Sequence, residues 1–447
     1  MNNPLADLRD KSLVLIFAYA PAGLGHLRVT DALYHGLPED VTPILLGAQD
    51  ESITLIHRIM SIHVVTRTIM GWFQDGILEE IYTFFYRSYL RSHTKLLYQQ
   101  TKTILDQRLV VPHTVLIVAT HFALAHQFAP IKEKLEKEMH IKIVLAVQVT
   151  DDSPQEIWYV PGADITFVPS EHTKRQLLAY GRWAHFPTIP IDVIPYPIST
   201  YLDENITKQQ MEERASQLML ESDTRIHIAV PVSGAAVGLK FSTEFIDELH
   251  SNSHRFFFHV IGKHAGYTQK FFSQMSTREY VEVLASLHSR DVVDFYEKLY
   301  RTTIVGLEIT KPSEQSFKAL CNCEKRGAVI MLFTQPVGRQ ESDNLDFLRR
   351  HYLIPTVADQ ETLWLHAKQN APLTEHLKKE APKWRGVCLP TDAKHAAQFV
   401  WWCFQQGLFT EMATCKVEPS EKDTAVHELG SDGVKQFWKK IEEFLMK

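Results

Sequence analysis

Residues Ser12–Ala20 read SLVLIFAYA and run directly into Pro21-Ala22-Gly23-Leu24-Gly25-His26-Leu27-Arg28. The first run has the unbroken apolar character of a parallel strand covered on both faces, and the Pro-Ala-Gly turn signal ends it. Gly23 and Gly25 let the backbone pass close to a ligand. The helix expected from about Leu27 to Gly36 then offers free amides and a positive dipole end to an anion. His26 sits at that mouth, where a group that titrates near neutrality can take a proton from an attacking hydroxyl. A capping histidine without chemistry fits the same position. The run is not a dinucleotide fingerprint, because the third glycine is missing and no strand-end acid stands clearly about 20 residues on.

Working outward, further strands are expected at Val41–Leu46, Val115–Ala119, Ile141–Val149 and Ile165–Val168, with helices between most of them. That alternation builds a parallel sheet. Residues 49–109 break the rhythm with a helix-compatible stretch rich in aromatics and arginines, including Phe84, Phe85, Arg87, Tyr89 and Arg91. Such a mixture suits either a helical hairpin packed on the sheet or contact with an anionic membrane surface. After Pro195-Tyr196-Pro197 a polar helical stretch, Ile206–Glu221, bridges to a second series of strands at Ile226–Val232, Phe256–Ile261, Ile304–Ile309 and Val329–Phe333. The fold class expected is α/β, with two Rossmann-like doubly wound domains facing a central cleft and a helical insertion in the first. The domains are residues 1–203, with the insertion at about 49–109, then 204–394, and finally 395–447 as helices packing back toward the first. The tail contains Phe399-Val400-Trp401-Trp402 and an amphipathic helix, Val434–Met446, both read as packing surface.

Composition bounds the partners. A chain of 447 residues suggests about two or three folding units, and 45% hydrophobic with 22% charged residues permits a large buried core. The formal net charge of -6 argues against nucleic acid as the main partner. Cys321, Cys323, Cys388, Cys403 and Cys415 are odd in number and lack a paired zinc spacing. They read as reduced thiols of a cytoplasmic protein, and no metal site is expected. Met1–Lys11 lacks the basic start and apolar run of a secretory signal, and no stretch reaches the roughly 18 to 20 apolar residues that span a bilayer. Cytoplasmic residence, with at most peripheral membrane contact, is the expectation.

Ligands of doubly wound sheets bind outside the carboxyl ends of the strands, so the strand-end loops carry the candidates. Val149-Thr150-Asp151-Asp152-Ser153 ends an apolar strand, and Asp151 there can serve as a proton acceptor or hold an acceptor substrate, while an Asp or Ser capping the next helix is the plainer use. Val232-Ser233-Gly234-Ala235-Ala236-Val237-Gly238 is a small-residue loop suited to a diphosphate, or merely to tight strand-to-helix packing. Ile309-Thr310-Lys311-Pro312-Ser313-Glu314 and Gln335-Pro336-Val337-Gly338-Arg339-Gln340-Glu341-Ser342-Asp343-Asn344 follow neighbouring strands and combine carboxylate, amide and hydroxyl groups that can hold a ribose and phosphates.

In this order the motifs resemble the GT-B glycosyltransferase superfamily that includes monogalactosyldiacylglycerol synthase and the N-acetylglucosaminyl transferase of lipid II synthesis. The likeness runs from Ser12 to about Leu365 through Gly23-Leu24-Gly25-His26, Val149-Thr150-Asp151, Ala163–Glu171, the small-residue loop, Thr310-Lys311-Pro312 and Gly338–Asn344. It implies a UDP-sugar held mainly by the second lobe, an acceptor lipid, glycan or small molecule held by the first, and inverting transfer without metal or cofactor. Carried over by position, Gly25 and His26 stand where acceptor and donor sugar meet, with His26 as base. Ser233, Gly234 and Gly238 lie near the phosphates. Gly338, Gln340, Glu341 and Asn344 contact the donor, as do Lys311, Pro312, Ser313 and Glu314, and Gly262 stands near the nucleotide base. Two positions depart from the pattern. Ser313 replaces a second glycine, and Lys318 precedes Ala319-Leu320 where a ribose-binding Glu is usual, leaving Glu314 as the substitute carboxylate. A UDP-sugar epimerase and a degenerate nucleotide-sugar-binding protein are the alternatives that this architecture admits.

Overall fold

The computed structural model describes residues 7–10, 12–19, 24–47, 77–110, 112–234, 236–334, 338–413 and 427–446. The chain divides into two compact units, Met1–Thr200 with Asp432–Lys447, and Tyr201–Ser431.

In the first unit the elements follow as β1 (Leu13–Tyr19), α1 (Leu24–His35), β2 (Ile44–Gly47), α2 (Ile77–Ser92), α3 (Lys95–Asp106), β3 (Thr114–Ala119), α4 (Phe122–Met139), β4 (Lys142–Gln148), β5 (Ile165–Val168), α5 (Glu171–Trp183) and β6 (Ile191–Val193). The six strands pair in the order β2-β1-β3-β4-β5-β6, and all pairings are parallel. Burial explains the unbroken apolar runs: Ile16, Phe17 and Ala18 of β1 and Val115–Ala119 of β3 have no exposed surface. β2 begins at Ile44 rather than Val41, directly after Pro43, which has no N–H to give to a neighbouring strand. Of the expected insertion, residues 48–76 lie outside the described residues, and α2 and α3 are the helices of its remainder.

Arg87 and Arg91 of α2 turn toward protein rather than solvent. Arg87 is 5% exposed and donates to Tyr180 Oη at 3.1 Å and Glu156 O at 3.0 Å. Arg91 donates to Pro161 O at 2.9 Å. These guanidinium groups are thereby withdrawn from the lipid phosphates that the sequence offered them. The rings of Phe84, Phe85 and Tyr89 on the same helix are exposed. No helix among the described residues is long and apolar enough to cross a membrane.

The second unit comprises α6 (Lys208–Leu218), β7 (Ile226–Pro231), α7 (Leu239–Asn252), β8 (Phe256–Lys263), α8 (Gln269–Met275), β9 (Val281–Ser286), α9 (Ser289–Thr302), β10 (Leu307–Thr310), β11 (Val329–Phe333), α10 (Arg339–Arg350), α11 (Val357–Gln369), α12 (Glu375–Glu380), β12 (Gly386–Leu389), α13 (Ala393–Gln405) and α14 (Leu408–Met412). Its strands pair in parallel in the order β12-β11-β10-β7-β8-β9. The α/β class with two doubly wound sheets is therefore what the chain forms.

β6, β9 and β12 are strands without counterpart in the sequence reading. Three and four residues give β6 and β12 too little pattern to read, and Glu282 interrupts the apolar character of β9. The tail divides. α13 and α14 belong to the second unit, where Phe399, Val400 and Trp402 join its core. Only α15 (Gly433–Leu445) belongs to the first. Trp438 of α15 meets Phe17 edge to face at 6.1 Å and donates its indole N–H to Leu33 O at 2.9 Å, so the chain end covers one face of the first sheet. Cys321, Cys388 and Cys403 are free buried thiols. Cys323 is disulfide-bonded, which corrects the expectation of reduced thiols throughout; Cys415 lies outside the described residues. An odd count and wide spacing carry no information about which cysteine is paired.

Three neighbouring strands carry a polar chain. His227 Nδ1 on β7 lies 2.9 Å from His259 Nε2 on β8, and His259 Nδ1 lies 2.7 Å from Glu282 Oε2 on β9. Desolvation, then the adjacent imidazole and Arg225, pushes His227 down to about 4, and desolvation also lowers His259 despite the Glu282 carboxylate. Both rings are thus neutral in the fold at pH values where the unfolded chain already takes up protons. Their contribution is full above about pH 6.5 and is lost as pH falls through about 4. Thermal midpoints followed across that interval should fall, and His227→Gln should flatten the fall; equal slopes for both proteins would remove the histidine pair as the cause.

Candidate functional site

In the first sheet, β1 pairs with β2 on one side and β3 on the other, so the winding reverses between β1 and β3. A crevice opens outside the carboxyl ends of two strands where winding reverses, because their following helices leave to opposite faces. The loops after β1 and β3 flank that point. Residues 20–23 lie outside the described residues, and α1 begins at Leu24, which places Gly25 and His26 in its first turn rather than ahead of a helix starting at Leu27.

His26 is half-buried and oriented through Nδ1, which donates to Thr120 O at 2.8 Å and stands 3.2 Å from Thr150 Oγ1. A carbonyl can only accept, so the neutral ring carries its proton on Nδ1 and its lone pair on Nε2. Thr30 Oγ1 meets both His26 O and Thr120 Oγ1 at 2.8 Å, locking the first turn of α1 to the end of β3. Next to it lies His121, which caps α4 by accepting from Ala123 N at 3.2 Å and is 1% exposed. The two imidazoles meet edge to face at 4.6 Å, and Phe122 and Trp158 extend the aromatic wall. His121 was not legible in advance. Its only sequence signal is a Thr-His pair directly after an apolar strand, which equally suits an ordinary cap.

Asp151 and Asp152 separate in role. Asp152 is 1% exposed and its Oδ1 accepts from the hydroxyls of Ser170 and Thr173, the latter at 2.8 Å, so it secures the cap of α5. Asp151 is half-buried beside Thr150, whose carbonyl accepts from Tyr196 Oη at 2.9 Å.

The second sheet reverses between β7 and β10, and the predicted loops fall at that point. After β7, Ser233 O accepts from Ala236 N at 2.8 Å and Ser233 Oγ from Val237 N at 3.3 Å, while Gly234 O accepts from Tyr267 Oη at 3.0 Å. Gly238 caps α7 at φ +84°, a left-handed conformation, and a Cβ there would come within 2.7 Å of Phe333. It has no side-chain oxygen to cap α7, whose first-turn amides suit an anion. Gly262, next to last in β8, lies among Phe272 and Val232, each 2.9 Å from where its Cβ would be, so packing accounts for this glycine.

The loop after β10 is tied to α10. Lys311 Nζ donates to Glu341 Oε1 at 2.6 Å, Glu341 Oε2 accepts from Gly338 N at 3.0 Å, and Asn344 Nδ2 donates to Pro312 O at 3.1 Å. Lys311, Pro312, Gly338, Glu341 and Asn344 therefore form one connected corner, with Gln340 half-buried in the same first turn. Residues 335–337 lie outside the described residues. Ser313 O accepts from Ser316 N at 2.9 Å and Oγ at 2.7 Å, and Glu314 opens the 3-10 turn Glu314–Leu320.

That turn sends Lys318 inward. Its ammonium pairs with Glu308 of β10 and donates to Tyr296 Oη at 2.6 Å and Gln315 Oε1 at 3.1 Å, while the hydroxyls of Tyr296, at 2.6 Å, and Tyr300 donate to Glu308 Oε2. Burial, then the Glu308 charge, holds both phenols well above their ordinary range. Lysine at this position thus serves a buried pair. Removing one member strands the other charge, at a cost of about 3–5 kcal/mol, whereas replacing both with apolar groups of similar volume is far milder. Lys318→Ala should lose about that much in urea unfolding, and Lys318→Met with Glu308→Leu should recover most of it; a single variant as stable as wild type would contradict the pairing.

No family model matches the chain, and no curated protein matches it. Among solved structures, a UDP-GlcNAc 2-epimerase from Neisseria meningitidis bound to UDP-GlcNAc is similar at a TM-score of 0.49 and 10% identity, over 97% of this chain and 100% of that one. S. aureus MnaA with UDP gives 0.46 and 13%, over 97% and 96%. Medicago truncatula UGT71G1 complexed with UDP-glucose gives 0.43 and 11%, over 98% and 99%. At these identities and scores the likenesses carry no argument about activity, and the fold rests on the strand order.

Proposed function

We propose that the protein transfers a sugar from a UDP-sugar donor to an acceptor hydroxyl, with inversion and without a bound metal. The observation that carries the reading is that the loops singled out for chemistry fall where each sheet reverses its winding, with His26 in one and the Lys311–Glu341 corner in the other. The GT-B-like order of motifs supports it. His26 Nε2 takes the acceptor proton as the acceptor oxygen attacks the anomeric carbon, and the bond from that carbon to the diphosphate breaks. The first-turn amides of α7 and α10 stabilise the charge that develops on the departing UDP. Gly25, Ser233 and Gly234 give backbone access to the ligand, and Asp151 assists at the acceptor. Glu314 is the carboxylate assigned to the ribose, since Lys318 is committed to Glu308. Membrane contact by a lipid acceptor would rest on the exposed rings of Phe84, Phe85 and Tyr89, not on Arg87 or Arg91.

A second reading, epimerisation of a UDP-sugar, keeps His26 as one acid-base group and requires another beside it, because a sugar proton must be removed and returned; the enclosed His121 is 4.6 Å away but spent on the α4 cap. UDP-sugars should be incubated with and without acceptors while UDP release and sugar configuration are followed. Transfer predicts acceptor-dependent UDP release that falls about 10²–10⁴-fold in His26→Ala. A new epimer formed without acceptor selects the second reading. Absence of UDP binding by calorimetry would remove both.

A further inference from the structure

We propose a separate binding site for a small, single-ring aromatic anion at the edge of the second sheet. A cavity of about 290 Å³ lies between α11 and α13, beyond the carboxyl end of β12. β12 is an edge strand, two strands removed from the β7–β10 reversal, and although its neighbour β11 leads into α10, the cavity is lined by none of Lys311, Pro312, Gly338, Glu341 and Asn344.

The walls are apolar and fixed. Phe399 is 1% exposed, and Trp364 is held by its indole N–H, which donates to Cys388 O at 3.0 Å. Pro390 and Ala367 add apolar surface, and Thr391 and Gln398 add polar groups, to a lining that accepts a flat ring. The rim carries one ammonium. Lys368 is exposed and has no ion-pair partner among the described residues, and His395 reaches the same opening. The nearby carboxylate, Asp392, is already engaged: Oδ1 accepts from His395 N at 2.9 Å in capping α13 and lies 3.4 Å from His395 Nδ1. An anionic substituent on a ring in the cavity therefore meets the Lys368 ammonium, which makes no ion pair among the described residues. The volume is at the lower edge of the roughly 300–1,000 Å³ typical of drug-sized ligands, which admits one ring with a short substituent and excludes a nucleotide-sugar. The ligand class is an aryl carboxylate or aryl phosphate.

Phenyl phosphate and benzoate, with neutral benzyl alcohol as control, should be titrated into the full chain by calorimetry and ligand-observed NMR. Both anions are expected to bind saturably, one per chain, and excess UDP should leave them bound. Lys368→Glu, on the exposed rim, should weaken both anions about tenfold without changing benzyl alcohol. Trp364→Leu should remove binding of all three. No saturation at millimolar concentration, retained anion affinity in Lys368→Glu, or displacement by UDP would each overturn the site, and displacement would assign the anions to the nucleotide pocket instead. Lost UDP binding with intact phenyl phosphate binding would count against the proposed transferase and leave this site standing.

Discussion

Two strand pairings, β1 with β3 and β7 with β10, set the positions of the other candidate groups. At each, a parallel sheet begins on one strand, winds outward, and returns to pair on that strand's other side. Neighbouring loops then leave toward opposite faces, and the backbone at the strand ends is left uncovered. Side chains within these sheets have no such freedom: Ile16, Phe17, Ala18 and Val115–Ala119 are fully enclosed. In the first sheet polar chemistry is thus driven to the strand ends, where His26 and His121 stand, and in the second the Lys311–Glu341 corner occupies the corresponding place.

Buried charge is managed by pairing or by backbone carbonyls rather than by exclusion. Lys318 has Glu308 with two phenolic donors, and Arg87 has carbonyl and hydroxyl acceptors from the segments around Glu156 and Tyr180. Arg214, pushed down to about 10 by burial, spans the carbonyls of Cys323, Lys325 and Gly327. Each such group is costly to leave alone in a low-dielectric interior, so it fixes the approach of the elements that satisfy it. The 3-10 turn Glu314–Leu320 is pinned to β10 in this way, and with it the backbone that carries Ser313 and Glu314.

His26 shows how orientation arises from contacts distant along the chain. Its tautomer follows from a carbonyl 94 residues away, and the partners of its ring come from the segments just after β3 and β4 rather than from α1. A histidine in a glycine-containing loop becomes a directed base only when Thr120 and Thr150 lie beside it. The same holds for Glu341, which the order of motifs assigns to the ligand and which first of all joins Lys311 to the amide of Gly338.

The long apolar strands, the alternation of strand and helix, the two-unit organisation and the loops to inspect were legible in the linear sequence, because burial of a parallel strand on both faces demands a local, unbroken apolar run. β6, β9 and β12 were not, being short or carrying a charge that their neighbours absorb. Nor were the inward turn of Lys318, the contact of His121 with His26, the Cys323 disulfide or the placement of α13 with the second unit rather than the first. Each depends on which distant residues come to lie alongside, a matter of strand order and helix docking. Residue type fixes what a group can do; only tertiary structure decides whether that capacity faces a ligand or is spent on a neighbour.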